Sequence, residues 1–298
     1  MYEDIGTLIR TGYETWRQNL NLAVPFVLMI VAMMILGIFT VVVAFYPLIT
    51  GSPEAFATAG EMGSPEELAE LLKSAANLGM AAAVLLIGVL LIYLASSFFT
   101  AGAIGMAREA TLKGKTTLKE MWASGRRHYL SLFMAEVIMM ALIIAGAVAL
   151  SLPFISEISA ALAASEPEFG PLLLWIILLI AYALLISLLL AMVPYALVVE
   201  DLGPIGAIKG GIGFFLSKKM DVFLIWLVVM AVSMAIQFAA VPFSGSEAAS
   251  AFFSTLSGVV GILVISPLTT VWWTRLYMTR TGKISEAQAV QDEGVKYL

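Results

Sequence analysis

Glu136 is the carboxylate in this chain that sits deepest within an apolar run, as the seventh residue of a stretch beginning at Leu130. Ionisable side chains in such places usually serve transport, proton relay or a buried ion pair. Two chemistries compete for it. One is a proton- or cation-coupled carboxylate facing a cavity. The other is an acid that snorkels, or pairs with Arg126, Arg127 or His128 one to three turns away. At 1.5 Å per residue it lies roughly 10 Å from the end of the run, and that shallow depth favours the second.

Other candidate groups are few. Asp221 opens another apolar run, where a helix N-terminus would stabilise it, and Gln237 in the same run is suited to bonding a neighbouring helix. Glu200-Asp201 ends a third run and could hold a cation, although a surface acid pair needs no special role. The chain has one histidine, His128, and no cysteine. A His-based zinc site, an HExxH pair, a thiolate metal site and a disulfide are therefore all excluded. No GxSxG and no phosphate-binding glycine loop occurs, and a membrane-embedded Ser–His dyad would need its His inside a span. His128, in Arg126-Arg127-His128-Tyr129, reads as an interfacial polar residue. No catalytic, cofactor or metal site is expected, and the chain reads as a non-enzyme.

The elements that must position these residues are membrane spans. The 298 residues are 61% hydrophobic and 12% charged, with a mean hydropathy of +0.97. Soluble domains average about 25% charged residues, so a water-facing surface cannot be built from this composition. Six runs reach the about 20 apolar residues a spanning helix needs, at 22–46, 78–104, 130–152, 172–199, 222–241 and 252–273. They are continuously apolar, which argues for helices over alternating barrel strands. The expected fold is all-α: a single polytopic membrane helix bundle over residues 1–298. Of the 16 Lys and Arg residues, 15 fall in the N-terminal segment, 106–129, 200–221 and the C-terminal tail. The opposite loops carry nine glutamates and only Lys73. The positive-inside rule then predicts a cell-membrane protein with both termini cytoplasmic.

Each odd-numbered span is preceded by a short amphipathic segment. Ile5, Leu8, Ile9, Gly12, Tyr13, Trp16 and Leu20 share a face in the first. Leu118, Met121, Trp122, Gly125 and Tyr129 do so in the second, and Ile205, Ile208, Ile212, Phe215 and Leu216 in the third. All three place an aromatic residue four positions after a glycine: Gly12/Trp16, Gly125/Tyr129 and Gly211/Phe215. Glu3-Asp4-Ile5-Gly6 and Glu200-Asp201-Leu202-Gly203 extend the match of the first and third. This predicts a threefold parallel repeat of hairpins, each led by a helix in the interface plane. Trp16, Tyr129 and Phe215 would anchor it. Arg17, Arg126, Arg127, Lys218 and Lys219 would meet lipid headgroups, and each glycine would let its helix approach a neighbouring span. An external helix is expected from Ser64, whose Pro65 and Glu67 suit an N-terminus. Ala141/Ala145/Ala149 and Ser250/Ser254/Gly258 are read as packing faces within the bundle, and Pro194 and Pro267 as helix bends.

Three segments carry a resemblance. Gly12–Asn19 (Gly-Tyr-Glu-Thr-Trp-Arg-Gln-Asn), the Gly102–Arg127 loop and Val193–Gly203 (Val-Pro-Tyr-Ala-Leu-Val-Val-Glu-Asp-Leu-Gly) resemble a broad group of poorly characterised prokaryotic membrane proteins. That group includes the membrane domain attached to some glycerophosphodiester phosphodiesterases. The resemblance implies an architecture and no reaction. No catalytic acid or histidine of those enzymes carries over, and no catalytic barrel is expected here. The function expected is a membrane scaffold, partner-binding or lipid-organising module, with a small transporter or channel using Glu136 as the alternative. Partners would be lipids, with a protein partner or a second copy left open, and no nucleic acid.

Overall fold

The computed structural model describes residues 3–51, 75–157, 169–240 and 246–284, and among these every regular element is helical. In chain order the helices are α1 (Ile5–Gln18), α2 (Val24–Gly51), α3 (Ala75–Lys113) and α4 (Leu118–Ser151). There follow α5 (Phe169–Leu190), α6 (Val193–Glu200), α7 (Pro204–Ser217), α8 (Lys219–Ala240), α9 (Glu247–Val260) and α10 (Ser266–Arg280). Six stretches among the described residues are long and apolar enough to cross a membrane: Leu20–Tyr46, Gly79–Lys113, Leu118–Glu157, Leu172–Glu200, Lys219–Ala239 and Ala248–Arg280. These are the six predicted runs. The second, third and sixth continue further than hydropathy alone suggests, because their polar ends are covered by protein. Met106, Ala107 and Ala110 on α3 are buried, as are Ser124 and His128 on α4.

The two proline bends are present. The fourth span breaks at Ala191-Met192, just before Pro194, and separates α5 from α6. In the sixth, a π-helical turn at Gly261–Ile265 precedes Pro267 at the start of α10. A proline lacks the N–H of the regular ladder and crowds the preceding turn, so the chain must loosen there.

The amphipathic segments are all helical, but they are not equivalent. α1 and α7 are separate helices of 14 residues. Each ends on a non-helical residue of similar geometry, Asn19 (φ −132, ψ 63) and Lys218 (φ −129, ψ 39), before the next span begins. The second segment has no such break. Residues 118–129 are the first turns of α4, which runs without interruption to Ser151. The repeat is thus expressed in the first and third copies and fused into a long helix in the second.

The glycine expectation holds in all three. A Cβ on Gly12 would lie 2.5 Å from Cδ1 of Trp272, one on Gly125 would lie 3.0 Å from the Phe98 ring, and one on Gly211 would lie 2.7 Å from the backbone nitrogen of Val193. The missing side chains let α1 lie on α10, α4 on α3 and α7 on α6.

Burial is concentrated at one end of the bundle, the capped end, where α1, α7, the start of α4 and the last turns of α3, α6 and α10 meet. Leu8, Met192, Val222, Ile225, Trp272, Leu276 and Tyr277 form the main core, and Ile104, Leu132, Ala135, Val193, Leu197 and Ala207 a second. The opposite halves of the spans present large apolar side chains outward, among them Ile38, Phe39, Leu86, Ile144, Leu174, Leu185, Phe238 and Phe252. Close contacts there are local. Thr40 of α2 packs against Gly88 of α3, and the Tyr182 ring of α5 covers Gly146 of α4. The predicted small-residue faces do not pack: Ala141, Ala145 and Ala149 are exposed, as are Ser250, Ser254 and Gly258. The expected external helix before Ala75 lies outside the described residues.

The glycine contacts yield a paired test. Gly211→Ala should cost about 1–3 kcal/mol from overpacking against the α6 backbone. Gly213→Ala, two residues along the same helix with nothing within 4 Å, should be neutral or stabilising by up to about 1 kcal/mol, since alanine is the better helix former. Thermal unfolding of the two variants in detergent separates the cases.

Candidate functional site

The capped end holds a polar cavity of about 780 Å³. α3 contributes Arg108 and Leu112, α4 contributes Arg127 and His128, and the end of α6 contributes Val199, Glu200 and Asp201. Met278 of α10, with Thr281 and Lys283 beyond it, closes the wall.

His128 and Asp201 organise one side. His128 is buried on α4, with Nδ1 3.0 Å from the backbone oxygen of Ser124 and Nε2 2.8 Å from Oδ1 of Asp201. Both partners are acceptors, and a ring nitrogen that carries a proton donates to the one it faces. Asp201 also accepts from Nη2 of Arg127. The His128 hydrogen bond, and after it the Arg127 guanidinium, hold the Asp201 carboxyl below its ordinary value. Asp201 is the described non-glycine residue with a left-handed backbone (φ 59), at the C-cap of α6, where Leu202 N–H donates to the Leu197 carbonyl at 3.0 Å. Glycine or asparagine is the usual occupant of that position, and a carboxylate opposes the negative end of the helix dipole. An aspartate there is compensated by the His128 hydrogen bond and the Arg127 guanidinium, both from α4.

Ser124, His128 and Asp201 lie within reach of one another, with 3.5 Å from Ser124 Oγ to His128 Nδ1. They do not make a nucleophile. Ser124 Oγ donates to the Ala101 carbonyl at 2.9 Å, is buried against α3 and does not line the cavity.

A second set of polar ties fastens the cap beneath the cavity. Arg275 grips Glu3 through two nitrogens, at 2.9 and 3.1 Å. Arg280 donates to Asp221 at 2.6 Å and to the Glu3 carbonyl at 2.9 Å. Tyr277 donates its hydroxyl to Glu200 at 2.8 Å. Asn19 donates to Gly114 O at 2.9 Å and accepts from Thr116 N at 3.0 Å, tying the end of α1 to the α3–α4 loop. Glu3, Asn19, Tyr277 and Arg280 were not singled out as site residues by spacing, because their partners lie up to 277 positions away in sequence. The available signal was Asp201 itself, an acid at a helix stop.

The sequence-predicted candidates divide. Trp16 and Phe215 are half-buried on the α10-centred core, whereas Tyr129 is half-buried against Phe98 of α3, with ring centres 6.4 Å apart. The three are therefore not in equivalent surroundings. Arg17, Arg126 and Lys219 are exposed, and Lys218 is half-exposed. Arg127 is not a free surface cation but the partner of Asp201. Glu136 pairs with neither arginine nor His128. It faces α3, where Ser97 Oγ lies 2.6 Å from Oε2 and 2.8 Å from the Tyr93 carbonyl.

The Asp201 clasp has a pH signature. A carboxyl depressed in the folded state adds stability above its ordinary aspartate value of 3.8, and that stability is lost as pH falls through the lower folded value. Asp201→Asn keeps the left-handed backbone but removes the charge. It should lower stability near neutral pH by about 1 kcal/mol, a modest figure because the pair is water-screened. It should also flatten the acid limb of the wild-type curve, as read by unfolding between pH 3 and pH 7.

A family model described as "Domain of unknown function (DUF7847)" matches residues 4–279. The chain is 28% identical over 297 residues to an uncharacterized protein of Archaeoglobus fulgidus, covering 96% of this chain and 98% of that protein. No solved structure matches it. Neither description names the glycerophosphodiester phosphodiesterases or an activity. With nearly its whole described length matched, cap and spans together, the chain belongs to the DUF7847 family.

Proposed function

We propose that this chain is a non-catalytic module of the cell membrane. It crosses the bilayer six times with both termini cytoplasmic, and its capped end is a surface that organises anionic lipid headgroups and docks a partner. The observation carrying this reading is that burial and positive charge coincide. Every described lysine and arginine belongs to a segment at the capped end, which is also where the protein core sits. Lipid gives helices no hydrophobic reason to close on one another, so the splayed apolar halves suit a hydrocarbon environment. The cap, by contrast, is built by the rules of a water-soluble core. Exposed Arg17, Arg126 and Lys219 are each worth about 1 kcal/mol near an anionic leaflet.

Topology is testable in a chain without native cysteine. Single cysteines at positions 17 and 126 should react with an impermeant maleimide only from the cytoplasmic side, and those at 67 and 166 only from outside. Labelling of position 67 from the cytoplasm alone overturns the orientation.

A transporter or channel is the second reading, favoured by the Glu136–Ser97 contact between α3 and α4. Against it, transport pathways gather polar groups from several spans near mid-depth, and Glu136 meets a single hydroxyl. Glu136→Gln keeps an oxygen acceptor for the Ser97 hydroxyl, so unfolding stability should change by less than about 1 kcal/mol. Loss of a proton- or ion-coupled flux in that folded variant would favour transport.

A further inference from the structure

We infer that the 780 Å³ cavity is a binding site for a phosphate group, gripped by Arg108 and Arg127 with Lys283 at its rim. This rests on the reading of the cap as the working surface and gives that surface a specific ligand chemistry.

The wall brings three cations and His128 together with two carboxylates, so its cations outnumber its acids. Asp201 is held by Arg127 and His128, and Glu200 accepts the Tyr277 hydroxyl. Arg108 makes no ion pair among the described residues and stands exposed on the cavity wall. Glu120 lies within electrostatic reach of Arg108 and His128 but is not part of the wall. Arg127 spends one nitrogen on Asp201, which leaves other donors of a five-donor fork available. A planar guanidinium with donors to spare suits the several oxygens of a phosphate, which accepts paired N–H bonds. The volume falls in the range of small-molecule sites, about 300–1,000 Å³. The phosphate could belong to a lipid headgroup or to a soluble phosphoryl compound.

The test uses the purified full chain with two probes. Inorganic phosphate is titrated against chloride at matched ionic strength in neutral detergent. Phosphatidylglycerol is titrated as mixed micelles into the same phosphate-free neutral detergent. The wild type should show a saturable rise in Tm with at least one probe. Arg108→Gln should weaken the apparent affinity about tenfold or more, as loss of a charged hydrogen-bonding partner implies. Lys209→Gln, at an exposed lysine of α7 outside the cavity wall, should leave it unchanged. Arg108→Lys, which keeps the charge but not the fork, should fall between, and serves if the glutamine variant unfolds. A response to phosphatidylglycerol alone assigns the site to headgroups, and a response to inorganic phosphate assigns it to a soluble ligand. Equal loss in Lys209→Gln and Arg108→Gln would overturn the cavity site while leaving the broader lipid-organising cap standing. No saturable response to either probe in the wild type overturns it outright.

Discussion

A helix bearing two tryptophans, a tyrosine and two arginines within one short stretch cannot be left to lipid, and α10 is that helix. Trp272, Trp273, Tyr277, Arg275 and Arg280 all fall within Ser266–Arg280. Their polar atoms must be matched and their rings covered, so other elements have to be brought to them. α1, α3, α6 and α8 all pack on α10. Trp272 donates its indole N–H to the Ile9 carbonyl at 3.0 Å while its ring fills the space Gly12 leaves. The Arg280 side chain is 1% exposed and Asp221 supplies its counter-charge. Such a pair need not add net stability, but removing either partner strands a charge and typically costs about 3–5 kcal/mol. The pairs therefore act as register pins, fixing where α1 and α8 begin relative to the end of α10.

From that constraint follows the division of the molecule. Where α10 and its neighbours meet, side chains interlock and polar groups are paired. Beyond the π-helical turn at Gly261–Ile265 the sixth span leaves this core, and the helices become mostly apolar on all sides. Because the four ends that enclose the polar cavity are fixed by the same contacts, its wall is preformed. Arg127 and His128 are placed by α4, Asp201 by the stop of α6, and Lys283 by the chain leaving α10.

Hydropathy made the six spans legible, because a hydrocarbon core imposes a length that few other structures need. Gly12, Gly125 and Gly211 were legible as close approaches, and Pro194 and Pro267 as breaks, since both depend on local sterics. What periodicity could not say is whether a face meets a neighbour. Ala141, Ala145 and Ala149 share a face but remain open, whereas Gly146, one position along, takes the Tyr182 ring. Nor could it separate a helix leading into a span from one fused to it, as the unbroken α4 shows. The cavity was the least legible part. Arg127 and His128 stood out for their types, yet their partner Asp201 comes from a turn 73 residues beyond His128. Glu3 and Arg275, 272 positions apart, meet only because α1 folds back on α10.

The central claim is that the capped end carries the fold while the opposite halves are held mainly by the bilayer. Unfolding of matched leucine deletions in nanodiscs tests it most directly. Leu276 is fully buried on α10 and Leu185 is 61% exposed on α5. Leu276→Ala should destabilise by about 2–5 kcal/mol, as cavity-forming core deletions do. Leu185→Ala should change stability by about 0.5 kcal/mol or less, since its side chain meets lipid in the folded and unfolded states alike. Comparable losses at the two positions would contradict the account.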